Sequence, residues 1–461
     1  MLSIRSFVLS RQFSSSATSF AAAATRKSFN KKSVYDKSKN RKGSGNDKSF
    51  KDTILTKNFK KSALKFDGET IDALPSLDSP NKDLLKNVFV KYPTDNIAKL
   101  HIAGAFKPNQ YNELYSQPLT MFRPNEDLKL LDIVNSAEST LNNRFIIKGN
   151  SGIGKSTLLA HFQSFALSNN QNNAILLPIS NADLLVDGSN DFKLNPLTKR
   201  YDQPMYTKTF LKKFKSLNAD QLSKIPLSKE IIPLTNAYKP SATYKVNGTL
   251  LDFVDYILKA SHIESNTTFA FTTILEELST QEILPVYLTI DNFSAFIQNA
   301  MTKYRNTENK KIYFQNFTVA DALLQFVSGE KTFKTGAVIV ATHGGHRVVR
   351  NGTLDVICGD KPLEKFAYSK LNEFDYDLAN RLLQNNGLKK LQVSNFNVDE
   401  CKSVIEHLFK FNLIHNEYGL EEQLSHNSKE SILQRIAAQK YMLSGNGNPK
   451  LLMDSCILAY A

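Results

Sequence analysis

Short apolar runs alternate with longer amphipathic ones along most of this chain. Phe145, Ile146 and Ile147 predict a short buried strand that breaks into glycines. From Ser156 to Leu167 the apolar positions Leu158, Leu159, Phe162 and Phe165 recur at helical spacing. The stretch 174–179 reads as a second strand. Val286, Leu288 and Ile290 give a third, with Pro285 at its first positions, where a missing N–H is tolerated. The stretch 336–341 gives another. Leu130, Ile133, Val134 and Ala137 line one face of a helix leading into the first strand. Strands and helices in this alternation predict an α/β fold, a parallel sheet flanked by helices.

Two stretches break the rhythm. Between about 181 and 268 the segments YDQPMYTKTFLKKF and TLLDFVDYILKASH predict helices joined by polar loops, a helical insertion. Beyond Asn395 the pattern turns helical throughout. Cys401, Val404, Ile405, Leu408 and Phe409 share one face, SILQRIAAQKYML ends at Gly445, and Asn448-Pro449 supplies a cap and first-turn proline. Thr318-x-x-Asp321 predicts a capping box ahead of Leu323, Leu324 and Phe326.

The break after the first strand carries the chemistry. Gly149-Asn150-Ser151-Gly152-Ile153-Gly154-Lys155-Ser156-Thr157 satisfies G-x-x-x-x-G-K-[ST] between a strand and a helix. Glycines let successive backbone N–H groups point at phosphate oxygens, and the helix N-terminus adds its positive end. Lys155 is placed to reach the β/γ-phosphates, and Ser156 offers its hydroxyl to Mg²⁺. The third strand ends in Asp291, either a second metal-side acid or the cap of a core strand. Thr342, at the end of the 336–341 strand, stands where a polar residue senses the terminal phosphate. His343 and His346 follow in a context that favours a loop role over chemistry. Arg123 and Pro124 lie where such folds often wrap the base. Gly447-Asn448-Pro449 is either a closing element over the nucleotide or simple helix punctuation.

Asn292 follows Asp291 where many ATPases carry a glutamate. An asparagine orients a water but cannot accept its proton. No NKxD follows the loop, so these residues do not decide between guanine and adenine.

Charge changes the picture at one end only. The net charge is +14, yet residues 1–65 hold sixteen Lys/Arg against three Asp/Glu, leaving 42 basic and 41 acidic residues elsewhere. Such an arm suits either a polyanion or bulk solvent. The first 26 residues are Arg- and Ser-rich, and no acid appears before Asp36, the composition of a mitochondrial transit peptide. Residues 27–84 read as a basic, largely disordered extension. No apolar run approaches the ~18 residues that span a bilayer. Cys358, Cys401 and Cys456 are widely spaced, which argues for a reducing compartment and against a disulfide framework or zinc site.

Together LTMFRP at 119–124, GNSGIGKSTLL, Tyr201-Asp-Gln-Pro204, TIDNFSAF around Asp291, the ATHGG turn and SGNGNPKLL resemble the death-associated protein 3 family over roughly residues 85–461. These are GTP-binding proteins of the mitochondrial small ribosomal subunit. The resemblance implies an additional-strand P-loop NTPase fold of AAA+/STAND type over 85–394, with a helical lid over 395–461. It implies a guanine nucleotide with Mg²⁺. It also implies contacts to small-subunit proteins, rRNA and the large subunit in the mitochondrial matrix. Asn292 and the lack of an obvious arginine finger fit little or no hydrolysis. The residues themselves also admit an active AAA+/STAND-type ATPase that remodels protein or nucleic acid. A P-loop phosphotransferase would need an acceptor pocket with paired acid and base groups.

Overall fold

The computed structural model describes residues 71–457 apart from 80–84, 109, 137, 170–172, 246, 260–264, 344–351, 365–370, 372, 412 and 415–427. The transit peptide, the extension up to residue 70, Ala137, Gly344, Gly345 and His346 lie outside the described residues.

The chain enters with β1 (Phe89–Lys91), α1 (Thr94–Ala103), β2 (Leu119–Met121) and α2 (Pro124–Asn135). β1 and β2 pair antiparallel. Then come β3 (Arg144–Lys148), α3 (Lys155–Asn169), β4 (Ile175–Ile179), the two-residue strands β5 (Lys193–Leu194) and β6 (Tyr201–Asp202), and α4 (Pro204–Leu222). Next are α5 (Leu250–Leu258), α6 (Thr267–Thr280), β7 (Val286–Ile290), α7 (Ser294–Gln298), β8 (Met301–Arg305), β9 (Lys311–Tyr313), α8 (Thr318–Val327) and β10 (Gly336–Ala341). The chain closes with α9 (Gly352–Ile357), α10 (Tyr376–Leu383), β11 (Lys389–Gln392), α11 (Val398–Lys410), α12 (Lys429–Leu443) and α13 (Pro449–Ile457).

Five strands form one parallel sheet in the order β11-β3-β10-β7-β4. Alternate residues feed opposite faces, as period-2 geometry requires. Val286, Leu288 and Ile290 join Val338 and Val340 against α4 to α8. Tyr287, Ala337, Ile339 and Ala341 face α1, α2 and α3, where Leu158, Leu159, Phe162 and Phe165 are buried. Both faces are covered, which is why the central strands read as unbroken apolar runs. Pro178 sits in β4 at the sheet edge, where its missing N–H costs no ladder bond.

The helical C-terminal stretch builds a third core. Cys401, Val404, Ile405, Leu408 and Phe409 of α11 pack with Leu452 and Cys456 of α13, and with Leu119 and Met121 of β2. His407 stacks on Phe89 of β1 at 3.7 Å between ring centres. Burial pushes its imidazole down to about 3, so it is neutral, and Tyr115 lies 3.1 Å from its Nε2.

The capping box at Thr318 does not form. The N-cap is Phe317 without a side-chain cap. The Thr318 hydroxyl donates to Asp202 Oδ1 at 2.6 Å, and Asp321 receives Arg381 at 3.0 Å. Tertiary partners outcompete the local pair. Within the predicted insertion, Tyr201 and Asp202 are strand, and the helix begins at Pro204.

Candidate functional site

The glycine loop leaves β3 and opens into α3 at the carboxyl end of the sheet, on the rim of a cleft of about 500 Å³. Ser151, Gly152, Ile153, Gly154, Lys155, Ser156 and Thr157 line it, with Asp291 and Thr342 at the ends of neighbouring strands. Gly149 and Asn150 contribute from behind: their carbonyls accept bonds from Lys155 Nζ at 2.8 and 2.6 Å. Burial pushes the Lys155 ammonium down to about 8, against the opposing pull of Asp291.

Two glycines have distinct reasons for being there. Gly154 has φ +98, and a Cβ built on it would meet nothing within 4 Å, so its bare backbone faces open space. Gly152 has φ +76, and a Cβ there would lie 2.7 Å from Lys450 Cβ and 2.9 Å from Asn448 Oδ1. One glycine opens the loop to a ligand; the other lets α13 approach it. Lys450 N–H donates to Gly152 O at 3.1 Å, and Asn448 Nδ2 donates to Ser151 O at 2.8 Å. Pro449, Lys450 and Met453 line the same cleft.

The strand-end residues behave differently from one another. Asp291 Oδ1 accepts from Asn292 N–H at 2.8 Å, while Oδ2 pairs with Lys107. The Thr342 hydroxyl donates back to Ile147 O at 3.1 Å. Asn292 takes φ +60, and its amide donates to Asn181 Oδ1 at 3.1 Å and Asp183 Oδ2 at 2.9 Å. Its own Oδ1 is buried without a hydrogen-bond partner. Asn181, Asp183 and Lys107 all line the cleft and carry no motif that would have found them in the sequence. Arg123 does not line it. As N-cap of α2 it turns to the C-terminal part, donating to Ser394 O at 2.9 Å and lying over Phe396 at 5.1 Å.

These groups fit a polyphosphate with Mg²⁺. The exposed backbone of Gly154, the Lys155 ammonium and the α3 N-terminus form an anion cradle. Ser156 and Asp291 present hard oxygen donors on its metal side. Among the described residues no cluster of three or more His, Cys, Asp or Glu could hold a metal alone.

A sequence profile of mitochondrial ribosomal death-associated protein 3 matches residues 120–455, from β2 through α13. The chain belongs to this family. Small ribosomal subunit protein mS29 of Schizosaccharomyces pombe is 25% identical over 368 residues, covering 79% of this chain and 70% of that protein. The mS29 of Neurospora crassa is 22% identical over 366 residues, covering 77% and 71%. The match to the death-associated protein 3 family takes in the glycine loop, the Asp291 strand and the residues that tie α13 to the loop.

Proposed function

We propose that this chain is a structural component of the mitochondrial small ribosomal subunit, resident in the matrix, that holds a purine nucleotide with Mg²⁺ as part of its architecture. The observation that carries the reading is the double use of the glycine loop. The same residues that cradle phosphate also receive Lys450 N–H and the Asn448 amide from the C-terminal helices. A ligand on the loop therefore braces the join between the sheet and α13. Binding that favours only the folded state stabilises it by RT ln(1 + [L]/Kd), about 2.7 kcal/mol at a hundredfold excess over Kd.

Several features support the finer assignment to an additional-strand P-loop fold. β10 lies between β3, which enters the loop, and β7, which ends in Asp291. Residues 85–394 then form the nucleotide-binding part and 395–461 the lid. Lys155, the loop amides and Ser156 bind and orient phosphate and metal, with Asp291 as the second acid. Guanine is what the resemblance to the family implies, and no residue of the cleft decides it against adenine. The place in the small subunit is supported by the relatives, small ribosomal subunit proteins, and the basic extension supplies charge for rRNA.

Slow or absent turnover fits Asn292. Its amide is spent on Asn181 and Asp183, and the Asp183 carboxylate also lies 3.4 Å from Asn299 Nδ2. Asp183, the acid that the Asn292 amide contacts, is thus already engaged by amide donors.

The test is to denature protein purified from mitochondria and identify the released nucleotide, alongside sedimentation with small-subunit particles. Lys155→Ala should lose nucleotide and subunit association together. Native protein that is empty, or that hydrolyses nucleotide briskly while sedimenting free of subunits, overturns the reading.

A further inference from the structure

Besides Lys155 and Lys450, the cleft is lined by Lys107, which the glycine-loop motif does not include. Lys107 lies in the connection between α1 and β2, 184 positions before its partner Asp291. Its side chain is 31% exposed and that of Asp291 8%. The pairing is lopsided: the acid is buried at the end of β7, while the lysine reaches it from the rim. A lysine is a point charge on a flexible stem with three rotatable donors, suited to changing partners.

The backbone around Lys107 is tied down by its neighbours. Its N–H donates to Gln110 Oε1 at 2.9 Å, and Gln110 also accepts from Asn112 Nδ2 at 3.2 Å. Tyr111, with φ +59, donates its hydroxyl to Asp454 of α13. Lys107, Pro108, Gln110 and Tyr111 all line the cleft. One short segment therefore connects the metal side of the site to the last helix.

We infer that Lys107 is a second phosphate-binding cation, which leaves Asp291 for the terminal phosphate when a nucleoside triphosphate and Mg²⁺ enter. The inference rests on the reading of the cleft as a nucleotide site. A divalent cation near Asp291 repels the ammonium, and the terminal phosphate adjoining that metal attracts it. With a diphosphate no terminal phosphate offsets the loss of the Asp291 pairing, so Lys107 stays on Asp291. The exchange gives the cleft a preference for triphosphate and passes it through Tyr111 to α13.

The full-length chain, stripped of nucleotide, is titrated with Mg²⁺ and either a non-hydrolysable GTP analogue or GDP, with adenine counterparts in parallel. Lys107→Ala should weaken the triphosphate analogue about tenfold, the scale of one lost charge-assisted contact, and leave the diphosphate unchanged. Lys107→Arg should keep most of the preference. In the wild type, hydrogen-exchange protection of residues 449–457 should differ between the two ligands, and in Lys107→Ala it should not. Equal weakening of both ligands, or no change in either, overturns this inference while the nucleotide site stands. A wild-type chain that binds neither ligand overturns the site and the inference together.

Discussion

Two carboxylates at element ends show opposite ways of holding an acid. Asp321, near the start of α8, has a side chain 4% exposed and receives two guanidiniums. Arg381 gives it a bond at 3.0 Å and spans to Glu330 with two more at 2.6 and 2.8 Å, Arg200 pairs with the other oxygen, and Gln325 Nε2 adds a bond at 2.9 Å. Asp291 is nearly as buried but has one lysine and one backbone N–H. Planar forks fix their partner from several directions, whereas a single ammonium can be traded. The first arrangement anchors α8 and α10; the second leaves an acid available to a ligand.

The sharpest break in that contrast comes from removing each acid. Asp321→Ala should cost about 3 kcal/mol, because it removes the bonds from Arg381, Arg200 and Gln325 together, although Arg381 keeps Glu330. Asp291→Asn should cost under about 1 kcal/mol in nucleotide-free protein, since Lys107 can return to water, yet it should abolish Mg²⁺-dependent nucleotide binding. Urea denaturation of both variants decides; equal losses would erase the distinction.

The two loop glycines sharpen it at smaller scale. Gly152→Ala should cost about 2 kcal/mol, because a strained φ adds to the clash with Lys450 and Asn448. Gly154→Ala carries only the backbone strain, about 1 kcal/mol, and its effect should fall mainly on nucleotide affinity. Thermal melts with and without nucleotide separate the two.

The smallest expected effect is one of pH. The Lys155 ammonium is pushed down to about 8 in the free protein, while the unfolded chain keeps its proton to about 10.4. Between these values the unfolded state binds more protons, so this group's contribution makes nucleotide-free protein more stable as pH rises. Phosphate binding needs the proton back, so affinity should fall by less than tenfold per unit above about pH 8. Calorimetric titrations from pH 7 to 9 should show the decline, and Lys155→Arg should flatten it.

What the sequence could disclose follows the same division. The glycine loop, β7 and β10 were legible because buried parallel strands need continuous apolar residues and the phosphate cradle needs glycines in fixed places. β11 escaped notice. It pairs with β3 at the sheet edge, and Lys389, Lys390 and Gln392 are exposed, so it has no continuous apolar run. Lys107 escaped because a lysine in a loop has no pattern, and its partner lies 184 positions further along the chain. Asp183 and Asn181 were passed over because their meaning comes from Asn292, a neighbour made by strand pairing. The capping box at Thr318 misled because both its members serve partners on other elements.

The core that Leu119 and Met121 share with α11 and α13 has a consequence for biosynthesis. During translation the β1–β2 pair is made before α11 and α13, which cover it. The pair must wait, its apolar side open to water or to a chaperone, until α13 is released. A messenger truncated just before α13 would therefore yield a chain with a finished sheet and an uncovered beginning, a natural target for quality control.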